Sequence, residues 1–487
     1  MSRAVARGLA WSSAGSLVSA LVLLGYTSVT ARLVAPDAFG RYALAQTVIA
    51  LFGQVANSGL ATCLLRADRL DRGLLRATAA AAALTGAAAC AVVEGTAAAA
   101  TAYMDAQTLG LLRLLGAQLL LQPGAGVVLA ALRRAGRPRA AALLETGAST
   151  GGCAVALTLL AAGWRPWGLA VAAPAGALLT LGAGLALLAR VRPPHGPWVP
   201  VRQLLGHGGF FAGYGLVQSA TNNAPLWCAG WLLGPAATGQ LSRAWLACGI
   251  PLTALTQGLQ RGAAPVLAEA RGANAGQLPG AAVYDLMCAA SALSFLGFGA
   301  LAAAGPDALR LLLGPGWEPA AALVPVLALG AACALLCSTG NSLDQIRRAP
   351  RASLATQAAV IIGTGLALAA AWRTHDLTVL ALAATAPALG HALQLRRWHR
   401  SSVLPVRPLL AAHGAHAALG LALYTAGRAA ADGHPPLAAA LTSTLAVTLA
   451  AAACWPLRTR IPAGRVALRR GLLPPPRRKE KTACTSP

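Results

Sequence analysis

Charge is scarce in this sequence. Of its 487 residues only 11% are charged, where a soluble domain carries roughly a quarter, so an ordinary soluble fold is excluded. Acids are scarcer still, with 14 Asp and Glu against 39 Lys and Arg. Close cysteine pairs are missing as well. The 10 Cys are scattered, mostly inside apolar runs, and no Cys/His set has zinc-ligand spacing. Cys333 and Cys337 share a helix face, as small apolar packing residues do. No metal and no cofactor is therefore expected. A cleavable leader is not expected either: Ser2 to Arg7 is basic, but the apolar run after it is too long.

What is present is hydrocarbon. The chain is 56% hydrophobic, with a mean hydropathy of +0.60. Apolar stretches recur at 9–33, 42–65, 77–102, 108–132, 140–162, 167–189, 209–233, 240–260, 281–304, 319–341, 353–372, 377–395, 409–427 and 436–456. Each holds about 20 residues of helix, enough for a hydrocarbon core about 30 Å thick. The reading is an all-α, polytopic membrane protein with about fourteen transmembrane helices. Barrel strands would be shorter and alternate in polarity.

The net charge of +25 would suggest nucleic acid in a soluble protein. Here the basic residues cluster in short connections between apolar runs, so they read as topology signals and nucleic acid is excluded. With the N-terminus in the cytoplasm, every second connection is cytoplasmic. Those connections carry most of the Lys and Arg, for example Arg133/Arg134/Arg137/Arg139 and Arg396/Arg397/Arg400/Arg407. Both termini are then cytoplasmic. The basic, Pro-rich tail 458–487 is expected to be disordered against the anionic inner leaflet. The longest external connection, about 305–318, is expected to form a short interfacial helix with Trp317 at headgroup depth.

Ala31-Arg-Leu-Val-Ala-Pro-Asp-Ala-Phe-Gly-Arg-Tyr42 returns roughly 200 residues later as Gly230-Trp-Leu-Leu-Gly-Pro-Ala-Ala-Thr-Gly-Gln-Leu241. Leu33, Pro36, Ala38 and Gly40 fall on Leu232, Pro235, Ala237 and Gly239. A second pair, Leu132-Arg-Arg-Ala-Gly-Arg137 and Ile346-Arg-Arg-Ala-Pro-Arg351, repeats in the same order. A duplicated set of corners in an apolar chain marks a pseudo-symmetric transporter. The expected organisation is two pseudo-symmetric six-helix bundles, 1–206 and 207–400, two additional transmembrane helices in 401–457, and the tail.

These corners, with Ser219-Ala-Thr-Asn-Asn-Ala224 and the Leu311 to Leu323 connection, resemble the polysaccharide-transporter branch of the multidrug/oligosaccharidyl-lipid/polysaccharide exporter superfamily. Its members are flippases of lipid-linked repeat units for O-antigen, capsule and exopolysaccharide. The resemblance runs from about residue 8 to 400, and it departs where Pro225 replaces an acidic residue and Leu241 a Tyr. It implies a MATE-like fold with two bundles around a central cavity, alternating access, a bacterial cytoplasmic membrane location and no catalytic turnover. It also implies a polyprenyl-diphosphate-linked oligosaccharide as cargo, membrane lipids as surroundings, and glycan polymerase or ligase machinery as partners.

Such a cargo needs cations for diphosphate, amides for sugar hydroxyls, and few acids. Arg32 and Arg243, near the outer ends of their helices, either face the cavity or snorkel to headgroups. Gln46, Gln54 and Asn57 on the second apolar segment, and Gln218, Asn222 and Asn223 on the seventh, should face the interior, lining a cavity or bridging helices. Gln118 and Gln122 form another pair at helical spacing. Pro225 and Pro251 are placed to break their helices.

A cation-coupled small-molecule exporter is the alternative, and it needs a buried carboxylate. Glu94 is its candidate. A membrane glycosyltransferase or polymerase would need large external loops, which the spacing of the apolar runs does not allow.

Overall fold

The computed structural model describes residues 3–56, 60–66, 70–102, 104–191, 194–201, 209–273, 280–347, 349–401, 404–453 and 462–463. The described residues are overwhelmingly helical and contain no strand. In chain order the helices are α1 (Arg3–Leu33), α2 (Pro36–Ala56), α3 (Leu60–Arg66), α4 (Arg72–Ala102), α5 (Ala106–Arg134), α6 (Pro138–Ala161) and α7 (Trp167–Ala189). Then come α8 (Gly209–Leu232), α9 (Pro235–Ala273), α10 (Gly280–Leu313), α11 (Glu318–Ile346), α12 (Pro350–Thr374), α13 (Leu377–Arg400), α14 (Val406–Ala431) and α15 (Pro436–Ala453).

The described residues of the apolar stretches named above fall almost wholly on helix, those of 42–65 on both α2 and α3. Among the described residues, nine helices are long and apolar enough to cross a membrane. The chain is a multi-pass membrane protein, because hydrocarbon forces backbone N–H and C=O groups to pair within each segment. The expected tail at 458–487 lies outside the described residues, apart from 462–463.

Short acids start several helices. Asp71 accepts from the Leu74 N–H at 2.7 Å, and Asp376 from that of Thr378 at 2.6 Å. Each satisfies a donor that the first turn leaves open. Pro225 and Pro251 were expected to interrupt their helices, yet both sit inside continuous helix. A proline removes one ladder bond, and packing holds the rest. The irregular turns lie elsewhere, in a π-helical segment, Leu293–Gly297, within α10, and a 3₁₀ segment, Leu382–Thr385, within α13.

The chain forms two compact units. Unit 1 comprises Met1–Leu246, Leu309–Leu323 and Thr364–Ala383. Its core is Ala45, Ile49, Leu111, Leu112, Leu115 and Leu119 on α2 and α5. Small residues let its helices close on one another: a Cβ on Gly152 of α6 would lie 2.3 Å from the Ala172 carbonyl oxygen of α7.

Unit 2 comprises Ala247–Ala308, Val324–Gly363 and Ala384–Pro487. Met287, Leu336, Leu343, Trp398 and Leu409 make its core. Here α14 lies against α10 at Gly420 and Gly299, where a Cβ on either would come within 2.6 Å of the opposite backbone.

Candidate functional site

The two repeated corners meet inside unit 1. Both have the same construction: a helix ends at Leu33 or Leu232, two residues link, and Pro36 or Pro235 opens the next helix. A proline suits that first position, where the helix needs no N–H from it. In the second corner the link includes Gly234 at φ +87°, a left-handed conformation that glycine adopts without steric cost. The contact between the corners is reciprocal. A Cβ on Gly40 would fall 1.7 Å from the Pro235 carbonyl oxygen, and one on Gly239 would fall 2.0 Å from that of Pro36. Each copy's glycine thus admits the other copy's proline turn.

Seating the corners this way brings Phe39, beside Gly40, beneath Arg243, one turn beyond Gly239. The Arg243 guanidinium carbon lies 4.5 Å from the Phe39 ring centroid. Phe39 is in turn met edge-on by Trp317, with centroids 5.5 Å apart. Trp317 is buried within the protein, and its Nε1–H donates to the Ala31 carbonyl at 3.1 Å. The connection around it is an extension of α10 to Leu313 followed by a tight link through Gly314 and Gly316, not a separate interfacial helix. Gln240 secures that link, donating to the Gly316 carbonyl at 2.7 Å and accepting from the Ala320 N–H at 3.0 Å.

Around Arg243 stand polar groups without partners. Its guanidinium interacts electrostatically with the hydroxyls of Tyr26 on α1 and Tyr42 on α2. Arg243 Nε, Tyr26 Oη and Gln46 Oε1 are all buried, and none has a hydrogen-bond partner among the described residues. Nor does any carboxylate among the described residues lie within ion-pair distance of Arg243. Tyr42 and Gln46 are four apart on α2 and therefore share a face. A buried cation with no counter-ion is costly in a membrane protein, and the Phe39 ring offsets only about 2 kcal/mol of that. The arrangement offers a fixed positive charge and free hydroxyl and amide groups, which is the chemistry that takes up an anion carrying hydroxyls.

The other expected site residues spread more widely. Arg32 is exposed and donates through Nη2 to the Leu311 carbonyl at 3.0 Å, beside the Ser28 hydroxyl's bond to the Leu312 carbonyl at 2.6 Å. It therefore satisfies open carbonyls at the end of α10, where a cation is favoured. Gln54, Gln218 and Asn222 are exposed, and none makes a hydrogen bond among the described residues. Bridging between α2 and α8 is done instead by the Trp227 Nε1–H donating to Thr47 Oγ1 at 2.6 Å. Asn223 is half-buried and spends its amide on the Ser219 carbonyl of its own helix at 2.8 Å. Asn57 lies outside the described residues. Gln118 and Gln122 bond each other along α5 at 3.3 Å.

The sequence reading missed Tyr26, Tyr42 and Phe39. The one available signal was the four-residue spacing of Tyr42 and Gln46.

Several carboxylates, including the most buried, are paired with arginines. Glu94 sits half-exposed 3.6 Å from Arg113, and the two most buried, Asp344 and Asp307, pair with Arg397 at 3.1 Å and Arg428 at 2.8 Å.

The family model of polysaccharide biosynthesis proteins matches residues 29–322. Among curated proteins, none matches the chain in sequence. Among solved structures, the lipid II flippase MurJ in an inward closed conformation superposes with a TM-score of 0.67 at 9% identity, covering 91% of this chain and 98% of that one. An outward-facing multidrug resistance MATE family transporter gives a TM-score of 0.53 at 12% identity, covering 81% of this chain and 95% of its own. The Vibrio cholerae MATE transporter VcmN gives 0.52 at 14% identity, covering 82% and 96%. At these identities the likeness establishes a shared fold.

Proposed function

We propose that this chain, which belongs to the polysaccharide biosynthesis protein family, is a flippase that moves lipid-linked oligosaccharide repeat units across the bacterial cytoplasmic membrane for cell-surface polysaccharide synthesis. The observation that carries this reading is Arg243 over Phe39 and near Tyr26 and Tyr42, with Arg243 Nε, Tyr26 Oη and, one turn from Tyr42 on α2, Gln46 Oε1 buried without a hydrogen-bond partner among the described residues. In the proposal Arg243 holds the diphosphate of a polyprenyl-diphosphate-linked glycan. A charge-assisted contact of that kind is worth about 1.5–3 kcal/mol. Tyr26, Tyr42 and Gln46 meet the remaining diphosphate oxygens and the first sugar hydroxyls. Gln54, Asn57, Gln218, Asn222 and Asn223 supply amides for the rest of the glycan, and Arg32 attracts the anion at the rim.

The fold shared with MurJ and MATE transporters supports alternating access by two six-helix halves, 1–206 and 207–400. Residues 401–457 are appended to them, and both termini are cytoplasmic. No bond is made or broken in this cycle. The deepest carboxylates are already neutralised by Arg397 and Arg428, which disfavours a drug exporter driven through a free buried acid.

Deletion of the gene followed by leaflet-resolved lipid analysis tests the reading. Accumulation of a polyprenyl-linked glycan on the inner leaflet is the expected result. Unchanged glycan with altered drug export would sink the proposal, and so would tags that place the two termini on opposite sides of the membrane.

A further inference from the structure

Unit 2 contains a chain of buried polar groups that the proposed function leaves unused. His391 on α13, His413 and His416 on α14, Ser291 on α10 and Gln394 on α13 are all buried. His391 Nδ1 lies 3.1 Å from Gln394 Oε1, and His391 Nε2 lies 3.2 Å from His413 Nε2. Ser291 Oγ lies 2.8 Å from His413 Nδ1 and 3.0 Å from His416 Nδ1.

Hydrogen-bond rules fix every proton in this chain. Gln394 Nε2 donates to the Cys337 carbonyl at 3.1 Å and to Asn341 Oδ1 at 3.1 Å. A backbone carbonyl only accepts, so the amide nitrogen must face Cys337 and the amide oxygen must face His391. Gly340 leaves room for this, since a Cβ there would lie 2.2 Å from Gln394 Oε1. His391 Nδ1 must then carry a proton, which makes its Nε2 the acceptor. His413 must donate from Nε2, so its Nδ1 accepts. Ser291 must give its single hydroxyl proton to His413 Nδ1, so it accepts from His416 Nδ1–H. That leaves His416 Nε2 as a bare lone pair, and it is buried without a partner among the described residues. A bridge built only to hold helices together would close at both ends. This one is closed at Gln394 and open at His416.

We propose that the His416–Ser291–His413–His391 chain is a proton-loading site, taking up one proton at His416 Nε2 and storing the charge at His391. When Nε2 gains a proton, the Nδ1 proton of His416 passes to Ser291 Oγ. The serine's own proton passes to His413 Nδ1, and the Nε2 proton of His413 passes to His391 Nε2. One proton enters, three hydrogen bonds reverse in order, and His391 ends with both nitrogens protonated. The relay stops there, because an amide oxygen accepts a hydrogen bond but passes no proton on. A proton therefore leaves by the end at which it arrived. The chain holds a charge without conducting one, which is what an ion-coupled transporter needs of a coupling site.

The surroundings suit this role. The ionic groups nearest the closed end, Asp344 and Arg397, neutralise each other at 3.1 Å, and the Trp398 Nε1–H donates to Asp344 Oδ1 at 3.2 Å. On α11 Cys337 and Cys333 lie near Gln394, Arg347 follows the helix beside Asp344, and α10 contributes Tyr284, Asp285 and Cys288 in the turns before Ser291. Thr356 on α12 accepts from Arg397 Nη2 at 2.7 Å and brings no charge. On α14 the remaining ionic groups are Arg407, exposed and six residues before His413, and Arg428, three turns beyond His416 and bound to Asp307. The three rings do not converge on one point, and among the described residues no His, Cys, Asp or Glu group could hold a metal. Ser291 lies two residues before the π-helical turn 293–297, whose Phe295 ring stands edge-on to His413 at 6.4 Å. Such turns inside α-helices recur at functional sites. Phe295 and Ala417, the residue after His416, line an apolar cavity of about 280 Å³.

The test uses the full-length protein in lipid bilayers with ¹⁵N-labelled histidine, read by solid-state NMR, and needs no knowledge of the cargo. At neutral pH the expected tautomers are Nδ1–H for His391 and His416 and Nε2–H for His413. On acidification from about pH 8 to pH 4, the three rings should shift together as one set that binds one proton per protein. Ser291→Ala should separate them, leaving His416 to titrate while His413 and His391 no longer follow it. His416→Asn keeps the hydrogen bond to Ser291 but removes the open lone pair, so it should silence the whole set. Three independent titrations, an Nδ1–H tautomer on His413, or no protonation across the range would each overturn the proposal. Because the readout is proton binding alone, its failure leaves the flippase reading standing, and loss of the flippase reading leaves this one testable.

Discussion

Two polar clusters sit in this apolar chain, and they are built on opposite rules. In unit 1 the Arg243 cluster carries a permanent charge and leaves Arg243 Nε, Tyr26 Oη and Gln46 Oε1 unmet among the described residues. In unit 2 the histidine chain has no permanent charge, and its groups satisfy one another from Gln394 to His416 with one lone pair left over. The difference separates a place that waits for a ligand from a place that is nearly complete. An unmet buried group costs about 1–3 kcal/mol, while a paired one contributes about 1 kcal/mol. Polar groups of the first cluster should therefore weaken the fold and serve binding, and those of the second should strengthen it.

The largest effect is expected where the first cluster is assembled. Gly40→Ala places a methyl group on the Pro235 carbonyl oxygen, and Gly239→Ala does the same at Pro36. Backbone cannot yield as a side chain does, so each should cost more than about 3 kcal/mol, read as loss of monodisperse protein on size-exclusion chromatography. Two variants that behave like the wild type would show that the corners do not hold the cluster together.

Arg243→Gln should lower flipping of a polyprenyl-diphosphate glycan in proteoliposomes by about 10- to 100-fold, matching one lost charge-assisted contact. The same variant should melt no lower than the wild type, since it removes an unpaired buried charge. In unit 2 the signs reverse. His413→Leu orphans both His391 and Ser291 and should destabilise by about 2–4 kcal/mol, seen as a lower unfolding temperature in detergent. The smallest effect belongs to Tyr26→Phe, which deletes an unmet hydroxyl. Stability should rise by about 1 kcal/mol while flipping falls a few-fold. A drop in stability there would mean that Tyr26 Oη has a partner after all, and the contrast between the clusters would narrow.

Much of this was legible before any coordinates. Apolar runs of spanning length announce membrane helices, and Pro36/Gly40 against Pro235/Gly239 announced a duplication whose copies turn out to interlock. Arg243 was legible as a cation in an apolar segment, but its neighbours were not. Phe39 and Trp317 both read as ordinary apolar or interfacial residues, and their contact with each other spans most of the chain. Arg32 looked equivalent to Arg243, yet it bonds the end of α10. Gln54 and Gln218 read as lining a cavity or bridging helices, and the bridge between α2 and α8 is made by Trp227 and Thr47. The histidine chain left only His413-x-x-His416 as a trace, because its other members lie on α10 and α13.

By itself the sequence determined the class of the protein: helical, membrane-spanning and internally duplicated. Hydrocarbon imposes that outcome locally, since each backbone group must find its partner within its own segment. Only the tertiary structure decided which polar side chains are satisfied and which are left open. Satisfaction is a relation between residues distant in the chain, set by distances of a few tenths of an ångström that no local pattern records.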